Sequence, residues 1–327
     1  MVIHARALSW STKHTAIALM GNSRTKFFDV CELQEMVLNL LPLPAVFSFA
    51  LSSDSHKQGV AMLFRGRFCT FARRFFDDPT PFFDALICSM GVLSGSGALR
   101  ILFFMETYGW EPSDMDIYVP LGKADFLTTF VTAAGYSEDL VHPQDHRGYA
   151  HGFIQTVRRF KQDNRRIDVV ESTNRSPIAP ILEFHITALM NYVTPLSVFS
   201  AYGEFTSHGK AIVHPMVFDQ ARLTLTTCMA IAKYRDRGFT ILSTMQSFIK
   251  ETRFSGHNGH ICGHMEVCVI TRRSTNDKGC VQLVFCEDLY EESGYRWLPT
   301  VNWCLGGRLC NKAIGYQIPY VMVRGDI

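Results

Sequence analysis

Three aspartates carry the most specific chemistry written into the chain. Asp114-x-Asp116 opens a run of alternating character that extends to Val119, and Asp168 stands between Ile167 and Val169. Side chains two apart on a strand leave the same face. Asp114 and Asp116 therefore project together, while Met115, Ile117 and Val119 turn toward a core. Adjacent carboxylates repel each other unless a cation lies between them, and an all-oxygen donor set suits Mg²⁺ or Mn²⁺. If the strand with Asp168 lies beside the first, the three carboxylates can hold two divalent ions about 3.5–4 Å apart, an arrangement that serves in-line phosphoryl or nucleotidyl displacement. One ion would then activate an attacking hydroxyl, the other would hold a triphosphate and its leaving pyrophosphate, and Asp168 would assist deprotonation of the acceptor.

Anionic phosphate needs its own seat. Ser94-Gly95-Ser96-Gly97 forms a turn ahead of an apolar helix expected over Ala98–Thr107 and ended near Gly109. Free backbone N–H groups at a helix start favour phosphate, and small residues let it approach closely. Ser94, Gly95, Ser96 and Gly97 are thus the candidate nucleotide-binding residues. Arg100, one turn into that helix, is a candidate phosphate contact, with a surface salt bridge as the alternative. Arg158, Arg159, Lys161, Arg165 and Arg166 cluster around a polar turn; they would steer a triphosphate or an RNA backbone, or simply solvate that turn. No Gly-x4-Gly-Lys-Ser/Thr occurs, so the glycine turn is not a P-loop. Neither His-Glu-x-x-His nor Gly-x-Ser-x-Gly occurs, which sets aside the common protease and esterase readings.

The elements that must position these residues follow from periodicity and breakers. Residues 1–30 read as a tail; Arg6, Lys13, Arg24 and Lys26 with no acid among the first 28 give a transit-peptide-like bias beside the plainer reading of a disordered segment. Residues 31–90 read as helical, with short helices around Leu33–Leu41, Ala45–Leu51 and Phe82–Met90 separated by prolines. Residues 91–172 alternate strand and helix: Val92–Leu93, the helix after the glycine turn, Asp114–Val119, a helix over Lys123–Ala134, then strands over Gly152–Phe160 and Arg166–Glu171. Residues 173–250 read as mainly helical, with helices over Ile178–Tyr192 and from an Asp219 cap to Arg237, stopped by Gly238. Residues 251–327 are richer in Gly, Cys and strand formers, and Ala313–Val323 reads as an edge or closing strand. The fold class expected is α+β.

Composition fits this outline. The 327 residues are 47% hydrophobic and 19% charged, enough for a sizeable core. A net charge of +2 gives no general nucleic-acid-binding field. The 10 cysteines do not make a small disulfide scaffold in a chain this long. With no secretory h-region and no membrane-length apolar span, an intracellular protein of cytoplasm or nucleus, without a membrane partner, is expected.

Leu93-Ser94-Gly95-Ser96, Ser113-Asp114-Met115-Asp116-Ile117 and Ile167-Asp168-Val169 together resemble the hydrophobic-Gly-Ser, Asp-x-Asp and single-Asp signature of the DNA polymerase β-like nucleotidyltransferase superfamily. The order helix, strand, helix, strand, strand also resembles its minimal core. The segments Ser94–Leu99, Trp110–Tyr118, Phe184–Asn191 and Lys233–Phe239 resemble a group of uncharacterised mushroom-type fungal proteins. The resemblance implies a small mixed sheet with flanking helices over residues 91–172. It also implies that Gly95 and Ser96 contact a triphosphate, that the three aspartates bind Mg²⁺, and that a nucleotide is transferred to an acceptor the sequence does not specify. Seventeen residues separate Ser96 from Asp114, a longer span than in many active members, so an inactive scaffold of the same fold is the alternative.

Two further patterns bear on partners and metals. Residues 31–60 resemble an F-box, the helical module that docks on a Skp1-type adaptor, although Cys31-Glu32 replaces its opening Leu-Pro; an amphipathic segment packing on the core is the alternative. Cys262, His264, Cys268 and Cys280, with His257 and His260 nearby, form a candidate structural Zn²⁺ set, against the default of free cysteines and surface histidines.

Overall fold

The computed structural model describes residues 31–103, 109–139, 152–218, 224–243, 268–306 and 318–324. The tail over 1–30, the Asp219 cap, His257, His260, Cys262, His264 and the stretch 313–317 lie outside the described residues.

Four helices come first: α1 (Cys31–Asn39), α2 (Leu43–Ala50), α3 (Asp54–Ala72) and α4 (Thr80–Ser89). Pro44 and Pro81 sit in the first turns of α2 and α4, where a missing N–H costs nothing. Ser53 caps α3 by accepting from the His56 N–H at 3.1 Å. Phe64, Phe68 and Phe71 bury one stripe of α3, and the Phe68 ring lies 4.8 Å from that of Phe83 on α4. Because α3 runs unbroken through the aromatic segment, the helical part of the chain is larger here than periodicity alone indicated.

The alternating region follows as β1 (Val92–Ser94), α5 (Gly95–Leu102), β2 (Asp114–Val119), α6 (Ala124–Ala133), β3 (Ser137–Glu138), β4 (Ile154–Gln162) and β5 (Arg165–Ser172). The expected strands and helices are all present, although α5 starts at Gly95 itself and closes at Leu102. The β4–β5 turn is reduced to Asp163-Asn164, with Asp163 in the left-handed region at φ 51°.

Residues 173–218 depart from the helical expectation. Ile178–Tyr192 forms two 3₁₀ turns, Ala179–Glu183 and Thr187–Leu189, and then enters β6 (Asn191–Val193). Its apolar residues Ile178, Ile181, Leu182, Ile186, Leu189 and Met190 are all buried. Burial here does not follow one helical face: Ala179, Pro180, Thr187 and Ala188 are buried as well, and only Glu183, Phe184 and His185 are half-exposed. After β6 come β7 (Ser197–Ser200), α7 (Gly203–Ser207) and β8 (Lys210–Ile212). α8 (Leu225–Asp236) is capped by Thr224, which accepts from the Thr227 N–H at 3.1 Å, and the chain turns at Gly238 with φ 91°. β9 (Thr240–Leu242), β10 (Arg273–Ser274), β11 (Val281–Val284), α9 (Glu287–Glu292), β12 (Val301–Cys304) and β13 (Tyr320–Val323) complete the described elements.

Eight strands form one mixed sheet in the order β11-β7-β6-β1-β2-β5-β4-β3; β10-β12-β13 and β8-β9 form small separate sheets. The tail-end strand expectation is met in part, since β13 is the edge of the three-stranded sheet. Among the described residues of the large sheet, only β2 and β5 pair in parallel. The architecture is thus α+β, a mixed central sheet with flanking helices. One face carries Leu93, Met115, Ile117, Val119, Phe160, Ile167 and Val169 into a core shared with α1–α6. The other carries Val92, Tyr118, Val157, Val170, Tyr192 and Phe199 into a second core with the 3₁₀ turns and β12. The first helices are not detached from this body: Leu38, Leu43, Val46 and Phe47 join the first core, and Phe64 stacks on Phe285 at 6.4 Å. Among the described residues no helix is long and apolar enough to cross a membrane.

Candidate functional site

The second face of the sheet is apolar over only part of its extent. Two residues along β2 from buried Tyr118 stands Asp116, and two further stands Asp114; two residues along β5 from Val170 stands Asp168. Register fixes what these meet. Ser94, Asp116, Asp168 and Arg159 line up across β1, β2, β5 and β4, and Asp114, Arg166 and Lys161 form the next row. Residues opposite each other on paired strands share a face and lie within side-chain reach. The expectation that Asp168 joins Asp114 and Asp116 is therefore met, with Met115, Ile117 and Val119 fully buried on the opposite face.

The two rows interleave charges. The Arg166 guanidinium donates to Asp114 and places its Nε 3.5 Å from Asp168 Oδ1. Arg159 Nε lies 3.6 Å from Asp168 Oδ2. Asp116 makes no ion pair among the described residues. Burial, then the neighbouring Asp114 and Asp168 charges, hold the Asp116 carboxyl well above the usual range, with Arg166 and Lys233 opposing. Burial also raises the Asp168 carboxyl, against the pull of Arg166 and Arg159. Asp168 is 6% exposed, and its Oδ1 has no hydrogen-bond partner.

The four residues of the glycine turn divide their roles. Gly95 has φ +63°, and a Cβ there would overlap the Asp116 carboxylate; only glycine lets the helix start approach so closely. Ser96 Oγ is buried with no hydrogen-bond partner, at the N-terminus of α5. Ser94 spends its hydroxyl on the Asn191 carbonyl at 2.7 Å. Gly97 serves packing, since a Cβ there would sit 2.9 Å from Phe71 Cζ. Arg100 Nη2 lies 3.1 Å from Glu111 Oε1.

The basic cluster likewise resolves into ion pairs. Arg158 forks onto Glu138 at 2.8 and 2.7 Å, Lys161 meets Asp139 at 2.5 Å, and Arg165 donates to the Phe75 carbonyl at 3.2 Å. Together with Arg159 and Arg166 on the aspartates, this is a set of counter-charges rather than a bare basic patch.

Sequence reasoning assigned no role to α8, yet it brings positive charge to the site. Lys233 feels Asp114 and Asp116, and burial followed by Arg237 lowers its ammonium. Arg237 stacks 4.0 Å over the half-buried Trp110 ring and 5.1 Å from that of Tyr234. His185 Nε2 has no hydrogen-bond partner, and burial and Lys233 hold its imidazole down to about 4. The readable signal was the i, i+4 spacing of Lys233 and Arg237 on one helix; what they face depends on tertiary packing.

The donor chemistry fits a hard divalent cation: three carboxylates, one with no ion pair among the described residues and held above its usual range by burial and then by the other two. Their present arrangement is not a ready cage. Among the described residues no group of three or more His, Cys, Asp or Glu side chains is placed to hold a metal ion, and a guanidinium bridges two of the three acids. For the candidate zinc set, Cys268 is buried in the second core. The Cys280 thiol donates to the Ser274 carbonyl at 3.3 Å, and burial raises it. No protein-family model, no curated protein and no solved structure matches the chain.

Proposed function

We propose that the chain is a nucleotidyltransferase-like protein, with a nucleotidyltransferase-type core over residues 91–172, that transfers a nucleotide from a nucleoside triphosphate to an acceptor in a Mg²⁺- or Mn²⁺-dependent reaction. The observation that carries this reading is the pairing of Asp116 with Asp168 across parallel strands, with Asp114 on the same face and the Gly95–Ser96 helix start against Asp116. Asp114, Asp116 and Asp168 would hold the ions, which neutralise the charge that develops as the phosphate linkage exchanges. The N–H groups at the start of α5 and the Ser96 hydroxyl would donate to phosphate oxygens. Lys233 and Arg237 would add positive charge on the side of α8, where a triphosphate presents most of its negative charge. Asp168 would complete the metal site and assist deprotonation of the acceptor hydroxyl.

The test is incubation of the purified protein with each α-labelled triphosphate, Mg²⁺ or Mn²⁺ and cell extract. Label on RNA, protein or a small molecule, lost in Asp116→Asn, supports transfer and identifies the acceptor class. Absence of label in every fraction, with no detectable triphosphate binding, favours a catalytically inactive scaffold. One feature fits that second reading: Met36, Leu40 and Leu51 on and beside α1 and α2 are 65%, 85% and 80% exposed. Co-purification of a Skp1-type adaptor, lost in Leu40→Asp, would assign them to an F-box-like contact.

A further inference from the structure

We infer that Arg166 is the resident counter-ion of the carboxylate site and that a divalent cation binds by taking over its place between Asp114 and Asp168. The inference rests on the metal-binding reading above. Arg166 is the register partner of Asp114 on the adjacent parallel strand and lies two residues before Asp168, so all three side chains leave the sheet on one face. Its guanidinium reaches both acids, donating to Asp114 and standing 3.5 Å from Asp168 Oδ1. It bonds Asp114 directly but leaves Asp168 short: Asp168 Oδ1 is buried with no hydrogen-bond partner, and its approaches from Arg166 and Arg159 are 3.5 and 3.6 Å. The Asp168 side of the bridge is therefore geometrically poor for a buried carboxylate, which needs short, directed bonds to offset its desolvation.

A small divalent ion satisfies the same oxygens better. It carries twice the charge, approaches carboxylate oxygen at about 2.0–2.1 Å, and can contact the acids that the guanidinium leaves unbonded. The Arg166 side chain is 43% exposed, so its guanidinium stands at the solvent edge of the acids, where an incoming ion meets it. The two cations exclude each other from one position. Arg166 thus keeps the acidic face folded without metal and sets the metal concentration at which the site loads.

The experiment is Mn²⁺ titration of the full chain without substrate, followed by electron paramagnetic resonance of the free ion, for wild type, Arg166→Met and Arg166→Lys. Arg166→Met should bind Mn²⁺ about tenfold more tightly than wild type at low ionic strength, because the competing charge is gone. Millimolar guanidinium ion should reverse that gain in the variant and leave wild type unchanged. Arg166→Lys, which keeps the charge but cannot bridge two acids with a planar fork, should fall between them; it serves as the test if the methionine variant does not fold. Affinity in Arg166→Met or Arg166→Lys equal to or weaker than wild type would overturn the role of Arg166 while leaving the metal site standing. No Mn²⁺ binding by any of the three would overturn both.

Discussion

Asp116 and Asp168 face each other in register across the parallel pair β2 and β5, with no ion pair on Asp116 among the described residues. Parallel pairing is the exception in this sheet, and it is what brings acids from distant parts of the chain side by side. Two carboxylates in that relation, Asp168 buried and Asp116 partly so, repel, and the folded state bears the cost. Such a cost is what the proposed cation site would offset.

That cost makes a stability prediction. Asp116→Asn removes one charge without changing shape. At pH 7.5, in the absence of divalent ions, the variant should be more stable than wild type by about 1 kcal/mol, a gain of the kind seen when a functional residue is neutralised. Equilibrium urea unfolding measures it. A variant less stable than wild type would mean that the Asp116 charge supports the fold.

The same pair predicts a pH dependence. Both Asp116 and Asp168 are raised in the folded state. Their protonation therefore favours folding: the contribution is complete below the unfolded carboxylate value of about 3.9 and is lost as pH rises through the raised folded values. The stability difference between Asp116→Asn and wild type should be near zero at pH 4 and grow toward pH 8. Stabilisation of wild type by added Mg²⁺ should grow over the same range, because deprotonated acids bind the ion. Melting curves across pH with and without Mg²⁺ check both trends, and a Mg²⁺ effect largest at acid pH would refute them.

Gly95→Ala should damage the site more than the fold. The added methyl meets the Asp116 carboxylate and the backbone must hold φ +63°. The cost to stability is about 1–2 kcal/mol. Displacing Asp116 by a fraction of an ångström should lower transfer by about a hundredfold. Steady-state kinetics and unfolding of the same preparation separate the two effects; activity within a few fold of wild type would show that the close approach is not needed.

The C-terminal region should prove integral to the core. Buried Tyr295 donates to the Gly91 carbonyl at 2.7 Å, immediately before β1, with the Leu86 carbonyl of α4 at 3.1 Å. Tyr295→Phe removes this donor from the Gly91 carbonyl, while Leu86 still accepts from the Gly91 N–H, and should cost about 1–2 kcal/mol, with triphosphate binding intact. A loss below a few tenths in urea unfolding would show that water replaces the hydroxyl there.

Local pattern made part of this legible. Period-two alternation placed Asp114 and Asp116 on one face, and turn chemistry at Gln162–Asn164 placed the β4–β5 hairpin. The Gly-Ser helix start was readable from residue size. Register was not: nothing local states that Asp116 meets Asp168 or that Arg166 meets Asp114, because pairing is decided between segments about fifty residues apart. Ile178–Tyr192 misled for a related reason, since tertiary packing buries residues well beyond one helical face there. Sequence neighbourhood places Gly97 and Arg100 beside the phosphate turn, whereas their contacts with Phe71 and Glu111 come from tertiary packing. Lys233 and Arg237 stayed silent because their relevance depends on where α8 docks.

Equilibrium binding of a labelled nucleoside triphosphate with and without Mg²⁺, for wild type and Asp116→Asn, reaches the central claim most directly. Triphosphate should bind wild type only with the divalent ion and should fail to bind the variant, whose melting temperature equals or exceeds that of wild type. Binding that ignores the metal, or that survives in the folded variant, would contradict a carboxylate-held nucleotide site.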